Sequence, residues 1–99
     1  MVVYFGEFVE IVINVGTASM AMMYGGTNFN RALLAGAGSF GGELITSMLI
    51  FKKAKDFSSH QYTYPLLAAG AVFANETLRL GLSDTLAMAI AQLIWLAGA

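Results

Sequence analysis

The 99-residue sequence contains no cysteine and a single histidine. Without cysteine there is neither a disulfide framework nor a thiolate metal site, and one histidine argues against a haem or chlorophyll protein. His60 also lies in a polar stretch with only Asp56 as a nearby acid, so no catalytic constellation is formed. We therefore predict no metal, no cofactor and no enzymatic activity.

Charge is also scarce. Charged residues make up 11% of the chain and hydrophobic residues 58%, against about 25% charged in a typical soluble domain. A soluble fold of this length buries only about two thirds of its unfolded surface and would leave much apolar surface in water. The composition thus predicts an integral membrane protein with the lipid bilayer as its main partner.

Basic residues are too few for nucleic-acid binding. The net charge is −1, and the one basic run consists of Lys52, Lys53 and Lys55. In a host cytoplasmic membrane this basic loop would be cytoplasmic and would place both termini on the same side.

The apolar segments predict an all-α fold, a small multi-helix transmembrane protein of three to four helices packed as helix hairpins. We expect a single domain, 1–99, with helices at about 2–24, 31–51, 65–80 and 84–98. The second is bounded by Arg31 and Lys52 and has the length of one bilayer crossing. Pro65 suits a first helical turn, Gly81 a helix stop and Ser83 an N-cap. The last two segments are short, so tilted or re-entrant helices, or one longer helix projecting from the bilayer, remain open.

Three glutamates, Glu10, Glu43 and Glu76, recur every 33 residues within these apolar segments. An ionisable side chain in hydrocarbon costs a few kcal/mol or more, so each is expected to face a protein interior, a partner or a water path. One hypothesis is a proton or cation relay. The other, which we favour, is structural: protonated glutamates join helices, and Arg79 neutralises Glu76 within one helix.

Other polar and small residues follow helical spacings of three and four. The polar residues expected at helix contacts are Glu7, Glu10, Asn14, Thr17, Ser39, Glu43, Thr46, Glu76 and Arg79. The small residues expected to allow close packing are Gly36, Gly38, Gly41, Gly42, Gly70 and Ala74, among which Gly38 and Gly42 form a GxxxG motif. Aromatic residues near the helix ends are expected at the membrane interface, namely Tyr4, Tyr24, Tyr62, Tyr64 and Trp95.

The segments 33–43 and 66–76 share Leu-Leu-Ala at their start, a central phenylalanine and a final glutamate. Two explanations stay open: a duplicated helical unit, or a chance match that follows from the high frequency of Leu, Ala and Gly in this chain. Internal repeats build midplane sites in many transporters, so it also bears on the relay hypothesis.

In size, helix number, short loops and lack of an enzyme motif, the chain resembles the small membrane proteins beneath the capsids of tailless icosahedral lipid-containing bacteriophages, of the corticovirus kind. The resemblance implies a structural protein that forms homo-oligomers and contacts a capsid or other membrane proteins. It also implies a location in a virion inner membrane or the host cytoplasmic membrane.

The alternative is a proton or cation transport subunit. Small antiporter-like subunits of complex I share three helices and mid-membrane glutamates, but Gly41 to Ile45 is only loosely similar to them. Holins and conjugative-type pilins fit the size less well, because the chain shows neither a charged tail nor a signal segment.

Overall fold

A computed structural model describes residues 5–26, 28–49 and 62–98, and these residues form four α-helices and no strand. The helices are α1 (Phe5–Met22), α2 (Asn28–Leu49), α3 (Thr63–Leu78) and α4 (Asp84–Gly98). The all-α class predicted from the sequence is confirmed.

The helices form an up-down-up-down bundle. α1 packs on α2, α2 on α3 and α3 on α4, and α4 returns to contact α1. Gly38 of α2 lies over Ala18 of α1, whereas Gly42 lies over Asn14, so these two helices are antiparallel. The first and third helices therefore begin at one end of the bundle, which we call the α3-start end, and α2 and α4 begin at the opposite end.

The turn between α3 and α4 explains where these helices end and begin. Arg79 adopts the left-handed conformation (φ 54°), its N–H donates to the Asn75 carbonyl, and Gly81 also has positive φ (86°). Ser83 then accepts a 3.1 Å hydrogen bond from the Leu86 N–H and caps α4. The alternative of one long helix through this region is thus wrong, because the chain reverses over residues 79–83.

Apolar residues form only a small interior cluster. Most of its members are alanines, whose small side chains let the helices approach closely. The apolar cluster consists of Ala18, Met22, Ala32, Ala35, Ala68, Val72 and Met88. Polar side chains occupy much of the remaining interior: Glu10, Asn14, Ser39, Glu43, Thr46, Asn75, Asp84 and Gln92 are buried.

The outer surface is apolar along the helices. Twenty-one large apolar or aromatic side chains of the described residues are exposed, and Arg79 is the one charged residue among them that is exposed. The exposed Asn, Ser, Thr and Arg side chains all lie at the end where α2 and α4 begin: Asn30, Thr77, Arg79, Ser83 and Thr85. The described part of the bundle therefore combines several buried polar groups with an outer surface that is almost free of charge.

Within the described residues, none of the four helices combines the length and the apolar character needed to cross a membrane.

Candidate functional site

A row of polar side chains lies between α1 and α2. Ser39 donates a 2.6 Å hydrogen bond to the Asn14 side-chain oxygen, and the Asn14 amide donates to the Glu10 carbonyl at 2.7 Å. The Thr17 hydroxyl lies 2.6 Å from the Gly38 carbonyl across the interface. We call the whole set the polar row; its members are Glu10, Asn14, Thr17, Ser39, Glu43 and Thr46. Both helices contribute these residues because each presents one face of three- and four-residue spacing to the other.

Two glycines allow α2 to approach this row. A Cβ at Gly38 would lie 2.6 Å from the Ala18 Cα, and a Cβ at Gly42 would lie 2.9 Å from the Asn14 Cα. Real Cβ atoms do not approach backbone so closely, so any larger residue would force the helices apart. The glycines therefore determine whether the hydroxyl and amide groups of the polar row can reach one another.

The Glu10 and Glu43 carboxyl groups lie within electrostatic reach of each other in the row. Glu43 is fully buried, and neither of its oxygens accepts a hydrogen bond in the described part of the chain. Two neighbouring carboxyl groups can form a hydrogen bond with each other only when one of them carries a proton. The site therefore pairs two acids in an interior where charge is costly.

The third and fourth helices complete the surroundings of this pair. The fully buried Tyr64 lies within electrostatic reach of Glu7, Glu10 and Glu43. The Gln92 amide of α4 donates a 3.3 Å hydrogen bond to the Tyr64 carbonyl, and the Gln92 oxygen is buried without a hydrogen-bond donor within the described ranges. All four helices thus contribute polar groups to this part of the interior.

A second polar site, which we call the Arg31 cluster, closes the opposite end of the bundle. Arg31 of α2 bridges Asp84 of α4 and Glu76 of α3, the latter at 3.2 Å, and donates to the Met22 carbonyl of α1 at 3.1 Å. Asn75 donates to Asp84 and to the Leu82 carbonyl, each at 2.8 Å. One guanidinium therefore connects all four helices.

The pKa of the Asp84 carboxyl is lowered from its ordinary value. Burial alone would raise it, but hydrogen bonds from Arg31 and Asn75 and the positive charge of Arg31 outweigh burial. Asp84 is thus held as the charged carboxylate.

The apolar cluster separates the two polar sites. On α1, Ala18 and Met22 come after the polar row, and on α2, Ala32 and Ala35 come before it. Met88 likewise lies between Asp84 and Gln92 on α4. The polar interior is therefore not continuous from one end of the bundle to the other.

The structure separates the three glutamates that recur in the sequence. Glu10 and Glu43 lie together, whereas Glu76 lies in the Arg31 cluster. Glu76 occupies the last turn of α3, and α3 runs antiparallel to α2. Equivalent positions of the similar segments 33–43 and 66–76 therefore lie toward opposite ends of the bundle. The structure therefore does not bring the three glutamates together, and the relay hypothesis stays a prediction.

The remaining predicted residues fall in different places. Glu7 is half-buried, and Arg79 is exposed in the turn after α3. A Cβ at Gly36 would contact Ala69 of α3 at 3.3 Å, but one at Gly41 or Gly70 would meet nothing within 4 Å, and Ala74 is half-buried. Lys52, Lys53 and Lys55, the basic loop, lie outside the described residues, as does Tyr4.

Sequence reasoning missed or misplaced several residues of these sites. Tyr64 was expected at a membrane interface but is fully buried, because its place in the first turn of α3 points it into the bundle. Arg31, Asp84 and Gln92 were not assigned to a site. What could have identified them in the sequence is that each is an isolated polar residue in or next to an apolar helix. Their partners could be found only once the order of the helices around the bundle was known.

No group of three or more histidine, cysteine, aspartate or glutamate side chains in residues 5–26, 28–49 and 62–98 is arranged to hold a metal ion. Comparisons of the chain with protein-family models, with curated proteins and with solved structures find no match.

Proposed function

We propose that the chain is a structural protein of a lipid bilayer, in which the bundle lies with its apolar outer surface against lipid and assembles with further copies of itself. The observation that carries the proposal is an outer surface that is apolar and almost free of charge, together with buried polar groups. Exposed charge within the described residues is limited to Arg79, while Glu10, Glu43 and Asp84 are buried. Lipid removes the cost of exposing large apolar side chains, and it favours polar groups that pair inside.

The exposed polar residues support an orientation within the bilayer. They collect at the end of the bundle that also holds the Arg31 cluster, so this end faces the headgroups or water in our proposal. The principal axes of the described residues extend 37 × 25 × 17 Å, and a hydrocarbon core is about 30 Å thick. The longest extent of the bundle is comparable with this thickness, which supports the proposal.

The assembly role is supported by small residues that the bundle itself does not use. Gly70 is exposed on α3 and has no atom within 4 Å of its Cβ position. Small residues on a lipid-facing helix allow another helix to approach closely. As the setting we propose a lipid-bearing assembly such as a virion inner membrane beneath a capsid, which rests on the resemblance in size, helix number and lack of enzyme motifs.

The test is co-flotation with liposomes after cell-free synthesis, comparing the wild-type chain with Val12→Lys and Ile90→Lys. Both side chains are exposed midway along their helices, at 54% and 39%. A lysine in the middle of a lipid-facing helix costs about 2.5–3.5 kcal/mol, so each variant should float less with lipid. Thr85→Lys, at the polar end, is the matched control and should float like the wild type. If the wild-type chain stays in the aqueous fraction, or if the lysine variants float equally well, the proposal fails.

Transport of protons or cations is the second candidate, and the neighbouring Glu10 and Glu43 carboxyl groups are the observation that favours it. The apolar cluster between this pair and the Arg31 cluster argues against a continuous polar path. Flux measurements in proteoliposomes separate the two candidates: a structural protein leaves an imposed proton or sodium gradient intact.

A further inference from the structure

A groove runs between α1 and α4 and opens on the outer surface of the bundle. Its volume is about 500 Å³, which is comparable with that of small-molecule sites in proteins. The apolar residues that line it are Phe8, Ile11, Val12 and Val15 of α1, and Ala89 and Leu93 of α4. No charged residue of the described ranges lines the groove. Its chemistry therefore suits an uncharged, apolar occupant.

Gly16 provides room within this groove. It is exposed on α1, and no atom lies within 4 Å of the position that its Cβ would occupy. Gly38 and Gly42 behave differently, because a Cβ at either of them would collide with the backbone of α1. The glycines of α2 thus close a helix contact, whereas Gly16 leaves space that the bundle itself does not fill.

Two hydroxyl groups line the groove where α4 begins. The Ser19 and Thr85 oxygens are 2.6 Å apart and join α1 to α4. One O–H forms this hydrogen bond, and the O–H of the other hydroxyl can donate to a further acceptor. An ester oxygen is an acceptor of this kind. The groove is therefore polar at one end and apolar over the rest of its length.

The length of the groove matches one leaflet of a bilayer. Phe8 and Ser19 both line it, and a helix that rises about 1.5 Å per residue separates them by about 16 Å. Half of a hydrocarbon core about 30 Å thick is about 15 Å. The hydroxyl pair lies toward the end of the bundle that we assign to the headgroups. The groove thus starts near the headgroups and extends over the depth of one acyl chain.

We propose that this groove binds one acyl chain of a bilayer phospholipid, with the glycerol ester at the hydroxyl pair of Ser19 and Thr85. The inference rests on the proposed location in a bilayer and adds a defined lipid site to it. The methylene groups contact the apolar lining, and the ester oxygen accepts a hydrogen bond from the hydroxyl pair. A lipid bound in this way covers the junction of α1 and α4.

The experiment is photolabelling of the full-length chain in phosphatidylcholine liposomes. The probe is phosphatidylcholine that carries a diazirine midway along one acyl chain, and mass spectrometry of the peptides locates the label. Val12 lines the groove, whereas Leu44 does not, and their exposed fractions are similar at 54% and 48%. They also lie at similar depth, because Gly42 packs over Asn14 in the antiparallel pair of helices. We expect Val12 to carry more label than Leu44.

Two variants test whether the groove causes this excess. Gly16→Phe fills the groove and should lose the excess label at Val12. Gly70→Phe is the matched control on α3, since Gly70 is also exposed and has no atom within 4 Å of its Cβ position, and it should keep the excess. Equal label at Val12 and Leu44 in the wild-type chain would overturn the proposal even if a variant does not fold. An excess that Gly16→Phe leaves unchanged would also overturn it.

A second copy of the chain is the other occupant that the experiment distinguishes. The chain has no cysteine, so disulfide-linked dimers of Val12→Cys in liposomes would report contact at the groove and overturn the lipid site. Flotation of the same liposomes separates this inference from the proposed function. A wild-type chain that does not float refutes both, whereas a chain that floats without excess label at Val12 refutes only the acyl-chain site.

Discussion

Gly42 of α2 lies directly against Asn14 of α1, so that a Cβ at Gly42 would be 2.9 Å from the Asn14 Cα. The same contact recurs one turn earlier on α2, where Gly38 lies against Ala18. This approach brings the Ser39 hydroxyl within 2.6 Å of the Asn14 oxygen. Close backbone packing and the buried polar row are thus one structural feature.

The first prediction concerns these glycines. Gly38→Ala should lower the free energy of unfolding by about 1–3 kcal/mol, because the added methyl group forces α1 and α2 apart. Gly41→Ala is the matched control on the same helix. No atom lies within 4 Å of its Cβ position, and alanine favours the helix by about 0.5–1 kcal/mol, so this variant should be neutral or more stable. Denaturant titration in detergent, followed by circular dichroism, measures both, and equal effects would contradict the close contact.

The second prediction concerns the hydrogen bond between Ser39 and Asn14. Ser39→Ala leaves the buried Asn14 oxygen without its donor and should cost about 1–2 kcal/mol of unfolding free energy. A double-mutant cycle with Asn14→Ala should give a coupling energy of about 0.5–1.5 kcal/mol. Ser47→Ala serves as control, since the Ser47 hydroxyl bonds only the Leu44 carbonyl of its own helix at 2.9 Å. A coupling energy near zero would show that the two side chains do not interact.

The third prediction concerns Arg31. Arg31→Gln removes the cation that Asp84 and Glu76 share and should lower the free energy of unfolding by about 1.5–3 kcal/mol. Arg79→Gln removes an equal charge from an exposed position and should change it by less than about 0.5 kcal/mol. Similar losses in the two variants, measured by the same denaturant titration, would argue against the Arg31 cluster.

The fourth prediction concerns pH. The folded chain lowers the pKa of Asp84, so the charged carboxylate contributes stability above the unfolded value of about 4, and this contribution is lost as the pH falls through the folded value. The denaturant concentration at the midpoint of unfolding should therefore decrease in the wild type as the pH is lowered below about 4. In Asp84→Asn the midpoint should be lower at neutral pH and should depend less on pH in this acid range. An acid dependence that is unchanged in Asp84→Asn would assign the effect to other carboxyl groups.

Much of the α1–α2 interface could be predicted from spacing alone. Asn14 and Ser39 share a stripe with the glutamates on their helices, and the GxxxG pair Gly38 and Gly42 marks close approach. These signals are local, because residues three or four apart lie on one helix face. The all-α class follows from the same periodicity and from the apolar composition.

The partners across the bundle could not be predicted. Arg79 is three residues from Glu76 in the sequence, yet Glu76 forms an ion pair with Arg31, 45 positions before it. The reason is that α2 and α3 are antiparallel, so the start of α2 lies beside the end of α3. Tyr64 resembled an interfacial aromatic residue by its position near a helix end, and only the rotation of α3 shows that it faces inward. The order of the helices and the rotation of each about its axis are tertiary properties, and residue spacing within one helix does not predict them.

The central claim, that lipid covers the apolar outer surface, is tested most directly at Trp95. It is the single tryptophan of the chain and is exposed on α4, so its fluorescence reports one position without any substitution. The measurement is quenching in liposomes by lipids brominated on their acyl chains, compared with quenching by aqueous iodide. We predict strong quenching by the brominated lipids and weak quenching by iodide. Strong iodide quenching with no effect of the brominated lipids would contradict a lipid-facing α4.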